Sequence, residues 1–165
     1  MTNNDNKLSQ SEEETRDFLL SLSLFDSFDV NELTLLARHM SYIHLQRGEF
    51  LFVEGEKGDF LGFVVQGVLE VLKKSATGEN IIIARLAKGS SIGEMALIDK
   101  SPRSATVVSR QPTTMITLTA KGFDKLLNKS PATGVKIIQK ISRLLSLNMR
   151  RTSSKLADLL HMYPI

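Results

Sequence analysis

Glu94 and Arg103 stand nine residues apart in the stretch GEMALIDKSPRSATV, Gly93–Val107, among Ala96, Leu97, Ile98, Ala105 and Val107. An acid and a guanidinium in so apolar a segment need partners. Gly93 has no Cβ, so the backbone there can approach a ligand closely. Glu94 to Leu97 can make one helical turn whose first N–H groups lack intrahelical acceptors and carry the positive end of the dipole. Pro102 stiffens the chain before Arg103, whose planar fork matches phosphate oxygens two at a time. Ser104 adds a hydroxyl donor. These groups describe a phosphate cradle. Glu94 cannot usefully face a phosphate and would instead accept from a neutral hydroxyl such as that of a ribose. An anion clamp beside an acceptor suits a sugar phosphate better than free phosphate. The alternative is that Glu94 and Arg103 pair across a loop, an arrangement that contributes little net stability when buried.

Such a cradle needs a rigid frame, and the pattern around it supplies one. Residues 1–10 read as a disordered tail. Ser11-Glu12-Glu13-Glu14 has the form of a capping box, with Phe18, Leu19 and Leu22 following at helical spacing, and Asp29-Val30-Asn31-Glu32 opens a second short helix. From Tyr42 the period changes to short apolar runs broken by glycines, and eight of the ten glycines fall between residues 48 and 93. That is the signature of antiparallel strands, with Thr77-Gly78 as a hairpin tip and strands at 104–109 and 113–119 around the Gln111-Pro112 turn. Helix returns at 120–128 and again after Ser130-Pro131, where an apolar stripe (Ile137, Ile138, Ile141, Leu144, Leu145, Leu156, Leu159, Leu160) runs for roughly 30 residues, about 45 Å. The expected fold is mainly β with flanking helices: an antiparallel β-roll or jelly-roll barrel at 42–119, N-terminal helices at 11–41 and C-terminal helices at 120–165. Residues 11–165 form one domain, with the cradle at 93–107.

Bulk properties narrow the function classes. The chain of 165 residues holds no Cys, which excludes disulfides and thiolate metal sites. His39, His44 and His161 are scattered, which argues against a cupin-type metal enzyme; no catalytic triad is evident, and neither catalysis nor a metal is expected. No apolar run reaches the roughly 20 residues that cross a bilayer, and the polar, acidic N-terminus differs from a secretory or transit segment, so a cytoplasmic protein is expected. Residues 1–32 carry two basic and eight acidic side chains, net −6; residues 121–165 carry nine basic and two acidic, net +7. Such runs are either solvated helix faces or attract an anion or an acidic partner.

The segment Ile92-Gly93-Glu94-Met95-Ala96-Leu97 followed by Pro102-Arg103-Ser104-Ala105-Thr106-Val107 resembles the phosphate-binding cassette of cyclic nucleotide-binding domains, with Ile92 in place of the usual Phe. Upstream, Glu54-Gly55-Glu56-Lys57-Gly58-Asp59 and then Phe63-Val64-Val65, Gly67, Leu69 and Val71 are similar to the family's strand-turn-strand signature. The resemblance spans about Phe18 to Leu160. It implies that Arg103 grips the exocyclic oxygens of a cyclic phosphate, that the amides of Gly93 and Ala96 and the Ser104 hydroxyl complete the cradle, and that Glu94 accepts from the ribose 2′-OH. It also implies a base held against the roll near Val64, Ile83 and Leu86, beneath a C-terminal lid helix offering Asn148, Met149, Arg151 and Thr152. The alternative for all four is an ordinary solvated or packed helix face. By the same resemblance, Ser104 implies cyclic AMP over cyclic GMP, since Ser at this position goes with adenine selectivity in the family and Thr with guanine selectivity.

With the chain ending at Ile165, no helix-turn-helix is expected, hence no nucleic-acid partner. The expectation is a sensor acting through an unknown effector protein, with the C-terminal helix as the moving output. The alternative is a docking or dimerisation protein that keeps the fold without the ligand. Leu144, Leu145, Met149, Leu156 and Leu159 either form a homodimer seam or fold back over the roll.

Overall fold

A computed structural model describes residues 8–162. In chain order the elements are α1 (Gln10–Leu20), a 3₁₀ turn (Ser23–Phe25), α2 (Val30–Ala37), β1 (Met40–Leu45), β2 (Phe50–Phe52), β3 (Phe60–Gln66), β4 (Leu69–Lys74), β5 (Asn80–Leu86), β6 (Ser91–Ile92), α3 (Glu94–Asp99), β7 (Thr106–Ser109), β8 (Thr113–Thr119), α4 (Ala120–Lys129) and α5 (Pro131–Met162). The first helix starts earlier than its expected box. Ser9, not Ser11, accepts from the Glu12 N–H while the Glu12 carboxylate takes the Ser9 N–H. This register turns Thr15 and Leu19 inward. Most of the expected tail, residues 1–7, lies outside the described residues. The second helix is capped as its sequence implies, by a reciprocal Asp29–Glu32 box.

The strands form two antiparallel four-stranded sheets, ordered β1-β8-β3-β6 and β2-β7-β4-β5. They make an open roll rather than a closed barrel. Alternate residues of β3 and β8 serve two cores. Leu61, Phe63, Ile116 and Leu118 face the helices and meet Leu19, Phe25, Leu33, Phe123, Leu126, Ile137 and Ile141. Met115 and Val64 face the other way, into a second core with Leu45, Phe52, Leu69, Val71, Ala105 and Val107. The first sheet is therefore covered on both faces, which explains why β3 reads as the near-continuous apolar run FLGFVV.

The long helix α5 has 32 residues, about 48 Å at 1.5 Å per residue. Its first half is fixed to the body. Ile137 and Ile141 are buried, Lys136 Nζ donates to Glu32 at 2.8 Å, and the same ammonium lies 5.6 Å from the Phe28 ring centroid. From Ser146 to His161 every residue is exposed. The distal leucines do not fold back over the roll. No helix among the described residues is long and apolar enough to cross a membrane.

Candidate functional site

Two loops join side by side to aim Arg103. The Gly55 N–H donates to the Arg103 carbonyl at 2.9 Å, and the Arg103 N–H donates to the Glu56 carbonyl at 2.8 Å. Lys57 and Pro102 form an isolated antiparallel bridge between them. The stretch EGEKGD is thus the second strand of a clamp on the Arg103 loop. Gly58 sits where this clamp meets α3. A Cβ there would lie 2.2 Å from the Ala96 Cβ and 3.1 Å from the Ser101 carbonyl, so only glycine lets α3 pack this close.

Arg103 points inward and is only 4% exposed. Its Cζ lies 4.0 Å from the centroid of the Phe52 ring and 4.4 Å from that of Phe60, and the two rings meet edge to face. Their π clouds offset part of the cost of burying the charge. Nη1 donates to the Phe60 carbonyl at 3.0 Å. Among the described residues Nε and Nη2 are buried without any hydrogen-bond partner. Burial lowers the guanidinium pKa, opposed by the Asp59 and Glu56 carboxylates; a guanidinium nevertheless stays charged. Buried polar groups in folded proteins are almost always paired, and two unpaired donors on one charged fork suit an anion with two oxygens. Gly93 closes the side of the fork. Its φ is +84°, and a Cβ would lie 2.6 Å from Arg103 Nη1 and 2.7 Å from the Phe60 carbonyl.

Gly93 also opens α3, so the first amides of that helix, those of Glu94 to Ala96, directly follow the residue that packs against the fork. Glu94 is 7% exposed. Burial pushes its carboxyl above the usual range, partly offset by its own backbone N–H. Asn148 Nδ2, from α5, donates to Glu94 Oε1 at 3.2 Å. Among the described residues Glu94 and Arg103 form no ion pair, so pairing across the loop does not account for them. Ser104 leaves its side chain exposed, while its carbonyl accepts from Lys73 Nζ at 2.6 Å. Lys73 also pairs with Glu54 and so ties β4 to both loops.

The seven residues expected around a base divide. Leu86, Asn148 and Arg151 line one cleft of about 550 Å³ with Leu22, Ser90 and Ser91. Val64 is 0% exposed and packs in the second core with Phe52, Leu69 and Val107. Ile83 is 52% exposed on the edge strand β5, at the bulge where the pairing steps from Val71↔Ala84 to Leu72↔Ile82. Met149 is 73% exposed, and Thr152 is exposed as well. They lie on the projecting part of α5, and neither lines the cleft. Phe52 and Phe60 escaped the sequence reading because an aromatic in a strand reads as core; the available signal was their position on either side of the EGEKGD stretch.

Residues 42–130 match the family model for the cyclic nucleotide-binding domain. The chain is 29% identical over 123 residues to a cAMP-dependent protein kinase regulatory subunit of Mycosarcoma maydis, covering 72% of this chain and 23% of that protein. It is 24% identical over 145 residues to a CRP-like cAMP-activated global transcriptional regulator of Mycobacterium tuberculosis (strain CDC 1551 / Oshkosh), covering 87% of this chain and 62% of that protein. The chain thus spans less than two thirds of either relative. The crystal structure of a cyclic nucleotide-binding domain from Methylobacillus flagellatus KT superposes with a TM-score of 0.80 at 29% identity, covering 89% of this chain and 83% of that one.

Proposed function

This chain belongs to the cyclic nucleotide-binding domain family, and from that premise we propose that it is a cyclic nucleotide sensor, preferring cyclic AMP, that acts through a partner protein by way of α5. The observation that carries this reading is the pair of orphaned N–H groups on the buried Arg103 fork. Arg103 Nε and Nη2 take the exocyclic phosphate oxygens, and the first amides of α3 and the Ser104 hydroxyl complete the cradle. The buried Glu94 carboxylate accepts from the ribose 2′-OH. The base occupies the cleft where Leu86, Asn148 and Arg151 converge. Both named relatives respond to cyclic AMP by their descriptions, which supports adenine over guanine. The role is binding rather than catalysis, and the exposed half of α5 is the surface a partner meets. A reading in which the domain only docks or dimerises leaves the Arg103 donors unexplained.

Thermal melting with cyclic AMP, cyclic GMP and AMP side by side tests the proposal, because a ligand that binds only the native state raises the midpoint. Cyclic AMP is expected to give the largest rise and AMP none. Each charge-assisted bond contributes about 1.5–3 kcal/mol, so Arg103→Ala should weaken binding by roughly 100-fold or more. Arg103→Lys should restore little of it, since an ammonium lacks the fork. An Arg103→Ala protein that still binds like the parent would contradict the assignment.

A further inference from the structure

Among the described residues the long helix is tied to the body by side-chain hydrogen bonds at two places. Near its start Lys136 holds Glu32 and the Ser27 carbonyl. Twelve residues on, about 18 Å along the axis, Asn148 Nδ2 donates to Glu94 Oε1 at 3.2 Å. Beyond it, residues 149–161 are all exposed, and among the described residues none of their side chains hydrogen-bonds to the body; Ser154 bonds only within the helix, to the Arg150 carbonyl. The outermost tether of α5 therefore ends on the one buried carboxylate of the cradle.

We infer that Asn148 is a positioning residue that orients Glu94 for a sugar hydroxyl and, through the same hydrogen bond, couples the sugar subsite to the projecting half of α5. This rests on the sensor reading above. A carboxylate accepts several hydrogen bonds on its two oxygens. With Oε1 held by the amide and the Glu94 backbone N–H nearby, Oε2 is left for a 2′-hydroxyl. A hydroxyl on Oε2 stabilises the rotamer that Asn148 grips, and Asn148 stabilises the rotamer that the hydroxyl needs. Each event favours the other, and the coupling is reciprocal. Leu144 and Leu145 are half-buried one turn earlier, but they contribute packing without direction. A directional bond from α5 to the ligand-facing acid comes from Asn148.

Asn148→Leu tests this, since the residue is exposed and leucine keeps its approximate size without the amide. Backbone hydrogen exchange in residues 146–161 is measured for parent and variant without ligand. Calorimetry is run on both with cyclic AMP and with its 2′-deoxy analogue. The variant should exchange faster in that segment, and its loss of affinity should be about fivefold greater for cyclic AMP than for the 2′-deoxy analogue. Unchanged exchange, or equal losses for the two nucleotides, overturns the inference. If the parent binds neither nucleotide, the sensor reading has failed, and the ligand-free exchange comparison alone decides whether Asn148 tethers the helix.

Discussion

A buried acid beside a buried cation would ordinarily be read as a structural pair, yet Glu94 and Arg103 each face elsewhere. Each carries a desolvation cost that a stabilising pair would have reduced. For Glu94 the consequence depends on pH. Its folded-state pKa lies above the unfolded value because burial disfavours the anion. As pH rises through the ordinary carboxylate range, the unfolded chain ionises first. Stability is therefore full below that range, falls as pH rises through the folded-state value, and is level above it. Glu94→Gln keeps an acceptor for Asn148 and removes the ionisation. It should raise the melting midpoint by a few degrees near pH 8, and the gain should vanish at about pH 4. The same variant should lose cyclic nucleotide affinity. Melting curves across pH, read beside calorimetry, check both; a gain independent of pH would show that ionisation of Glu94 is not the cost.

Among the elements, the decisive contact is that of α3 with the loop before β3. A helix of six residues cannot hold itself in water; it is held by the buried side chains of Ala96 and Leu97 and by Gly58. Gly58→Ala would set two Cβ atoms 2.2 Å apart. Because backbone lies on both sides, relief requires α3 to shift away from Arg103. The expected cost is about 1–3 kcal/mol of stability, with weaker ligand binding as the cradle opens. Adding Ala96→Gly removes the Cβ–Cβ clash and should recover part of both, leaving the closer Ser101 carbonyl and a glycine in a helix as the residue of the loss. A denaturation and binding cycle over the four proteins measures this; additive effects would mean the two residues do not meet.

For the whole molecule, what remains to be covered is the end of α5. Leu145, Met149, Thr152, Leu156 and Leu159 follow a four-three spacing, the seam pattern of paired helices. Met149, Leu156 and Leu159 are exposed in the single chain. We expect a second copy to pair there, giving a two-fold dimer through α5. Arg150, Arg151 and Lys155 crowd the same half of the helix, so their repulsion should weaken pairing at low ionic strength and be screened as salt rises above about 0.1 M. Light scattering across concentration and salt checks this. Leu156→Glu with Leu159→Glu should give the monomer mass in every buffer without changing nucleotide affinity; a parent protein that stays monomeric at high concentration and high salt would exclude the seam.

Local chemistry carried much of this into the sequence. The change from helical to strand period near Tyr42, the Asp29–Glu32 box, the proline that opens α5 and the cassette from Gly93 to Val107 are all short-range signals, set by propensities and spacing over a few residues. Ser9 and Ser11 offer similar boxes two residues apart, and only packing of Thr15 and Leu19 chooses between them. What the tertiary structure alone decided is which faces meet. It sent Val64 into the core, left Ile83 on an edge, carried Met149 and Thr152 away from the cleft, seated Arg103 between Phe52 and Phe60, and brought Asn148 to Glu94 across 54 positions of chain. Residue type fixes which groups can bind an anion or a hydroxyl, but their approach depends on long-range strand order and helix direction, which are settled by burying two cores at once and not by any local rule.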